Sequence, residues 1–409
     1  MSDDREAAPV ELHRATPGRL AEVAGAFLKL GCLSFGGPIA HLGYLRAELV
    51  EKRKWVDDAH YGDLVALCQF LPGPASSQVV FALGMQRAGL LGALVASVCF
   101  TLPSALLMIG FAYGVAAFAD LRGAGWLHGL KLAAVAVVAQ AVWGMGKKLC
   151  TDRARVSLCL GSAAVLLALP GAVSQIGVIA CGGLAGWWLY RRTVATAPPP
   201  APERGRARHL VAGGALVAFV ALLVALPALA AATGSRPIAV FDSFYRSGSL
   251  VFGGGHVVLP LLRAEVVPRG WLTDDQFLAG YGAAQALPGP LFAFSAYLGA
   301  AMQPGGWRNG LWALLAIFLP AWLLIGGALP FWHRLRSKRW AQAALAGANA
   351  SVVGVLLAAL YSPVITEGVR GSRDVGAALV AFGLLERWKA PPWLVVIGMA
   401  ATGQWLLPR

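Results

Sequence analysis

Long apolar runs without charged residues alternate with short polar segments along the chain. The run over residues 89–118 contains no charged residue, and it is longer than the roughly 20 residues that an α-helix needs to cross a bilayer. Further uncharged or nearly uncharged runs cover residues 127–145, 176–190, 210–233, 310–332, 341–361 and 393–407. This pattern predicts an all-α, polytopic membrane protein.

The chain contains two related halves. A shift of 217 residues aligns residues 27–48 with residues 244–265, and about half of these positions are identical. After the loss of one residue, the Leu-Pro-Gly-Pro strings at 71–74 and 287–290 coincide. We therefore predict two diverged copies of one module.

Composition divides the chain into five segments. Prolines and arginines concentrate in residues 191–209, which is typical of a polar linker. We predict a cytoplasmic tail (1–18), a first copy (19–190), a cytoplasmic linker (191–209), a connecting transmembrane helix (210–233) and a second copy (234–409). The tail is acidic and lacks the order of regions found in a cleaved signal peptide.

The loop charges predict that the two copies point in opposite directions. Lysine and arginine accumulate in cytoplasmic loops. In the first copy residues 120–125 are nearly neutral and residues 147–155 are basic, whereas in the second copy residues 334–339 are basic and residues 363–374 are balanced. Such inverted repeats are the usual architecture of secondary transporters, which bind their substrate at one central site.

Composition agrees with a membrane protein and disfavours several other classes. The 409 residues are 57% hydrophobic and 13% charged, and the mean hydropathy is +0.64. The net charge of +14 comes from loops, so we expect it to set topology and not to bind nucleic acid. The six cysteines form no C-x-x-C pair and are interpreted as packing residues. Without a nucleotide-binding loop, metal-ligand cluster or nucleophile motif, we expect no enzymatic activity, cofactor or metal.

Each copy has two short apolar segments interrupted by glycine or proline. The first interruption lies in residues 31–38 or 248–255, and the second lies at Pro-Gly-Pro, residues 72–74 or 288–290. The flanking segments are too short to span, so we predict helical hairpins that enter the bilayer and return around a cavity. Proline suits the first position of a helix, so Pro38, Pro74 and Pro290 are expected to begin the second limbs. Helix N-termini present free N–H groups to anions.

These interruptions and the nearby cations supply the candidate substrate ligands. Glycine allows close approach to the backbone, and the planar fork of arginine suits a tetrahedral oxyanion. The predicted substrate-binding residues are Lys29, Ser34, Gly36, Gly37, Arg46, Gly73, Arg246, Gly253, Gly254, His256, Arg263 and Gly289. The alternatives are close helix packing for the glycines, interfacial ion pairs for the arginines and a structural role for the histidine.

Three aspartates near the interruptions have other predicted roles. Asp63 faces Ala279 in the alignment of the copies, and it is the candidate proton carrier if transport is coupled to protons. The alternative for Asp63 is a residue at the mouth of a hairpin. Asp58 and Asp274 are expected to cap the helices that follow them.

Ser34-Phe35-Gly36-Gly37-Pro38, the two Leu-Pro-Gly-Pro strings and the duplicated layout resemble the chromate ion transporter family in its long, two-domain form. The resemblance extends over nearly the whole chain. It implies export of chromate from the cytoplasm through the cell (inner) membrane, and hence chromate resistance, with sulfate as a similar competitor. The second copy departs from the motif where Val251 and Gly255 replace the serine and the proline.

Other functions remain open at this point. They are import or exchange of sulfate or another oxyanion, an anion channel, and a membrane subunit of a larger complex. A homodimer is one alternative for the assembly.

Overall fold

The structure, a computed structural model, describes residues 15–35, 37–117, 125–191, 206–252, 255–331 and 338–405, and within these ranges it contains helices and no strand. The first copy comprises α1 (Pro17–Leu33), α2 (Gly37–Arg46), α3 (Asp58–Phe70), α4 (Ala75–Ala117), α5 (Gly125–Leu149), α6 (Arg153–Ala168) and α7 (Ala172–Tyr190). The connecting helix is α8 (Arg206–Thr233). The second copy comprises α9 (Arg236–Ser249), α10 (Val258–Val266), α11 (Asp274–Ala286), α12 (Phe294–Ala301), α13 (Trp307–Ala328), α14 (Arg339–Ala359), α15 (Ser372–Glu386) and α16 (Pro392–Trp405).

Six helical segments of the described residues are long and apolar enough to cross a membrane: Ala75–Val115, Gly125–Leu149, Val173–Tyr190, Leu210–Thr233, Trp307–Phe331 and Arg339–Gly368. The seventh predicted run corresponds to α16, of which the structure describes 14 residues. Only 6% of the apolar window in Leu210–Thr233 is buried inside the chain, so lipid is the natural solvent for its surface. The chain is therefore a polytopic all-α membrane protein.

A break inside α4 produces the short limb that the sequence predicts after Pro74. Ala88 (φ −147°) and Gly89 (φ 63°) leave helical geometry, and the chain then continues as a long spanning helix. A Cβ added at Gly84 would lie only 2.5 Å from the carbonyl oxygen of Gly92. The absence of a side chain at Gly84 therefore lets the two limbs fold back against each other.

The predicted caps of α3 and α11 are wrong by one residue. Asp57 accepts a hydrogen bond from the His60 N–H at 2.7 Å, and Thr273 forms a capping box with Gln276. A cap needs an extended backbone and a side chain that reaches the third N–H of the helix. Asp58 and Asp274 follow the caps as the first helical residues, and their carboxylates pair with arginines instead.

The two copies exchange their last helices. α5 of the first copy packs on α16 of the second, and α14 packs on α7. Glycine permits both contacts, because a Cβ at Gly129 would lie 2.0 Å from the Met399 carbonyl oxygen and one at Gly347 would lie 2.1 Å from the Gly182 carbonyl oxygen. Small residues commonly permit such close packing of membrane helices.

The exchanged helix pairs are antiparallel. Gly125 meets Gly403 while Gly129 meets Met399, so α5 and α16 run in opposite senses. The equivalent helices α4 and α13 also run in opposite senses, because the Trp307 N–H donates to the Tyr113 hydroxyl while the Cβ position of Gly310 lies beside Ile109. The packing therefore supports an inverted relation between the copies. The predicted basic loop at 334–339 lies partly outside the described residues.

Each copy has its own apolar core beneath its interruptions. Phe27, Leu67 and Phe100 are fully buried in the first copy. Phe244, Phe277 and Phe294 are fully buried in the second. These cores fix the helix ends from which the candidate site is built.

Candidate functional site

The interruptions of the two copies are joined by a reciprocal pair of hydrogen bonds. The Gly73 N–H donates to the carbonyl oxygen of Val251 at 2.7 Å, and the Gly289 N–H donates to the carbonyl oxygen of Ser34 at 2.8 Å. Gly73 and Gly289 are equivalent in the two copies, as are Ser34 and Val251. We call this pair of hydrogen bonds the crossing. It brings the Pro-Gly-Pro break of each copy against the glycine break of the other.

The crossing requires glycine at both Pro-Gly-Pro breaks. Gly73 has φ +119° and Gly289 has φ +94°, which is backbone that a residue with a Cβ rarely adopts. A Cβ at Gly289 would lie 2.8 Å from Ser104 Oγ, and a Cβ at Gly73 would lie 2.9 Å from Gln78 Nε2. Of the other predicted glycines, Gly37 begins α2 with φ +78°, while Gly36, Gly253 and Gly254 lie outside the described residues.

Helix starts lie directly beside the crossing. α4 begins at Ala75, immediately after Pro74, and the Gln78 N–H, which donates to the Pro74 carbonyl oxygen at 2.9 Å, makes the first bond of its helical turn. The three preceding N–H groups therefore have no acceptor in their own helix. In the second copy a 3₁₀ turn over Leu291–Ala293 begins after Pro290. Both starts agree with the limbs predicted from the prolines.

Buried polar side chains of the first copy surround its breaks. Ser34 is fully buried, His41 is 1% exposed, and Ser76 and Ser77 are each 3% exposed. His41 Nδ1 lies 3.4 Å from Ser76 Oγ, and its ring lies beside the Ser34 backbone. The sequence analysis identified only Ser34 among them, although the two serines after Pro74 stand at a predicted helix start and were a usable signal.

Lys29 and Arg246, both predicted ligands, bind glutamates in equivalent positions. Lys29 Nζ lies 3.0 Å from Glu48, which also accepts from Arg53 at 3.0 Å. Arg246 lies 3.1 Å from Glu265 and 2.8 Å from Asp242. The ammonium of Lys29 and the guanidinium of Arg53 hold the pKa of Glu48 below its ordinary value.

Arg46 and Arg263 also pair with carboxylates. Arg46 Nε donates to Asp58 at 2.6 Å, and Arg263 donates to both carboxylate oxygens of Asp274, at 2.6 and 3.1 Å. The hydrogen bond from Arg46 lowers the pKa of Asp58. These pairs give all four predicted cations a structural partner, and their binding of substrate stays a prediction.

The remaining predicted residues are placed as follows. His256 Nδ1 lies 2.8 Å from the hydroxyl of Tyr281, so this histidine has a partner within its own copy. Asp63 lies on α3 with a partly exposed side chain, and its role in proton coupling stays a prediction.

A separate cavity of about 330 Å³ lies between α6, α7, α10 and the end of α14. Its lining includes Arg263, Gln175 and Ser362, but most of the surface is apolar. The guanidinium of Arg263 is already held by Asp274. We therefore place the candidate anion site at the crossing, where free donors are concentrated.

The described residues contain no group of three or more histidine, cysteine or carboxylate side chains arranged to hold a metal ion. The six cysteines are free thiols.

Duplicated halves with broken helices that meet inside an apolar bundle define a polytopic membrane transporter. The comparison with known families agrees: the family described as "Chromate transporter" matches twice, over residues 21–187 and 238–404. The chain belongs to the chromate transporter family.

Relatives extend over nearly the whole chain. The chromate transport protein of Pseudomonas aeruginosa is 32% identical over 400 residues, which cover 94% of this chain and 91% of the relative. That of Cupriavidus metallidurans is 29% identical over 404 residues, covering 96% and 94%. The uncharacterized transporter YwrA of Bacillus subtilis is 30% identical over 179 residues, which are 97% of its length and 42% of this chain. No solved structure matches the chain at a significant level.

Proposed function

We propose that the chain exports chromate from the cytoplasm by alternating access, and that this export confers chromate resistance. The observation that carries the proposal is the reciprocal pair of hydrogen bonds from Gly73 to Val251 and from Gly289 to Ser34. Family membership favours chromate as the cargo, since two full-length relatives are chromate transport proteins.

The chemistry of the crossing suits an oxyanion. A dianion stripped of water needs several donors to offset its lost hydration. The start of α4 offers backbone N–H groups and the positive end of a helix dipole. Within the described residues, the predicted cations near the breaks are each paired with carboxylates, so neutral donors carry the proposed site.

The crossing also suits alternating access. Each hydrogen bond links one copy to the other, so a rocking movement between the copies would alter both bonds together around one site. Opposed copies allow the two resulting states to open toward opposite faces of the membrane. The cytoplasmic placement of the tail and the linker, and the five-segment division of the chain, belong to this proposal.

Energetics favour export over uptake. A dianion that leaves a cell with a negative interior gains about 4.6 kcal/mol per 100 mV, at roughly 2.3 kcal/mol per charge. Export therefore needs no obligatory coupling ion. Uptake of the same dianion would require co-transported cations.

Flux of labelled chromate into everted vesicles tests the proposal. We expect saturable uptake that falls when the membrane potential is collapsed and persists when only the pH gradient is collapsed. Unlabelled sulfate should compete, and vesicles without the chain are the control. Absence of chromate flux from correctly inserted protein would refute the cargo, non-saturating flux would indicate a channel, and loss of flux with the pH gradient would indicate proton coupling.

A further inference from the structure

The two copies match closely in backbone at the crossing but differ in the polarity of the residues around it. Six buried polar positions of the first copy align with apolar positions in the second. The pairs are Ser34/Val251, His41/Val258, Ser76/Phe292, Ser77/Ala293, Gln78/Phe294 and Ser104/Ala321. At these six positions the first copy is polar and the second is apolar.

Several polar atoms on the first side are buried without a hydrogen-bond partner. Among the described residues these atoms include Ser34 Oγ, Ser77 Oγ and His41 Nε2, and each side chain belongs to a residue at most 3% exposed. A buried polar group left unpaired costs about 1–3 kcal/mol. Three such groups within two adjoining segments indicate a ligand that supplies the missing partner.

Serines near the second copy's breaks are satisfied in a different way. Ser247 donates to the carbonyl oxygen of Ser243, Ser249 donates to that of Tyr245, and Ser295 donates to that of Phe292. Exceptions in the second copy include Ser243 Oγ, the amide nitrogen of Gln285 and the indole nitrogen of Trp322, which have no partner among the described residues.

Aromatic rings occupy the corresponding place in the second copy. The rings of Phe294 and Phe277 lie 5.2 Å apart between centroids, and those of Phe294 and Tyr281 lie 5.8 Å apart. Phe292 and Phe294 are almost fully buried. These aromatic rings form a mostly apolar surface that carries no negative charge to repel an anion.

We propose that the first copy alone supplies the side-chain ligands of the oxyanion. Ser34, Ser77 and His41 bind it together with the free N–H groups at the start of α4, while the second copy forms an apolar wall opposite. The inference rests on the proposed function, because it names the ligands of the same transported ion. The hydroxyls donate to oxyanion oxygens, and the first turn of α4 adds its N–H groups and the positive end of the helix dipole.

Side-chain replacements that remove the polar groups of the first copy test this assignment. We expect Ser34→Ala, Ser77→Ala and His41→Val each to raise the KM for chromate at least tenfold in proteoliposomes. Ser77→Thr, which keeps the hydroxyl, should recover most of the affinity. Ser295→Ala is the matched control, because it removes an equally buried serine whose hydroxyl already has a carbonyl acceptor.

Binding and folding are measured on the same purified samples. Protection against thermal unfolding by chromate should weaken in the three variants, and the melting temperature without chromate should stay within a few degrees of the unaltered chain. Normal KM and normal protection in all three variants would overturn the inference while leaving chromate transport intact. Absence of transport and protection in the unaltered chain would overturn the proposed function, and this inference with it.

Discussion

Gly73 and Gly289 determine at the residue scale whether the two copies can cross. Each has a positive φ. A Cβ would lie too close to Gln78 at the first position and to Ser104 at the second. The sequence could predict these two glycines because they recur in both copies. It could not predict that their N–H groups donate across the copies, because that partner lies far away in the chain.

Alanine at either crossing glycine should impair transport. We expect Gly73→Ala and Gly289→Ala to cost about 1–2 kcal/mol from left-handed backbone and to lower chromate flux at least tenfold, because the new Cβ crowds Gln78 or Ser104. Gly270→Ala is the control: Gly270 has φ +68° with open space around its Cβ position. Equal flux losses in all three variants would remove the special role of the crossing.

A double substitution distinguishes an arginine that only pairs with a carboxylate from one that binds the substrate. Arg263→Ala should reduce export because it leaves Asp274 without its two hydrogen bonds. We expect Arg263→Ala/Asp274→Ala to recover part of the flux, since no unpaired charge remains. A double variant as inactive as the single one would instead support the predicted role of Arg263 as a ligand, and Arg46 with Asp58 offers the same test.

The ion pairs of Glu48 predict a pH dependence of stability. The pKa of Glu48 is below its ordinary value of 4.5 because Lys29 and Arg53 donate to it. A carboxyl with a depressed pKa stabilises the fold above its ordinary pKa, and this stability disappears as the pH falls through the folded-state pKa. We expect the melting temperature in detergent to fall below pH 4.5, and this fall to be smaller in Glu48→Gln. An unchanged slope in that variant would contradict the assignment.

At the scale of elements, α5 forms an asymmetric connection between the copies. Lys131 on α5 pairs with Asp275 at the start of α11, and His128 lies 3.0 Å from Asp374 at the start of α15. At the shift of 217 residues that relates the copies, the positions in α14 that correspond to Lys131 and His128 are Ala348 and Leu345. These two charged contacts between the copies therefore lie on α5 and have no counterpart at the equivalent positions of α14.

The burial of the Lys131–Asp275 pair predicts unequal effects of removing its two members. The Lys131 side chain is 6% exposed and that of Asp275 is 61% exposed. Asp275→Ala leaves a buried ammonium without a partner and should destabilise the protein by up to about 3 kcal/mol. Lys131→Met leaves a carboxylate that water can reach and should cost less. Thermal unfolding of both variants checks the order, and a larger loss for Lys131→Met would contradict it.

The elements also show what local pattern could predict. Proline and glycine identified the interruptions and the limb starts, because these residues limit backbone geometry directly. The exchange of α7 and α16 between the copies was missed, since it depends on contacts between distant segments. Paired glycines at Gly125 and Gly129, and at Gly182 and Gly186, were a signal for it, because small residues four apart favour close helix packing.

At the scale of the whole molecule, duplication was predictable and its asymmetry was not. Internal identity indicates equivalent backbones, and the structure gives equivalent helices in both copies. The different polarity of the two sides becomes meaningful only once Ser34, His41 and Ser77 are seen to be buried together. The four candidate cations show a different limit of the sequence. Their spacing identified them, but it could not show that each pairs with a carboxylate.

The opposed insertion of the two copies is tested most directly by cysteine accessibility in intact cells. Thr151→Cys, in the connection between α5 and α6, and Ser372→Cys, at the first residue of α15 in the second copy, are introduced singly into a chain without its native cysteines. A membrane-impermeant maleimide should label Ser372→Cys from outside and Thr151→Cys only after permeabilisation. Labelling of both positions from the same side would contradict the inverted arrangement on which the crossing depends.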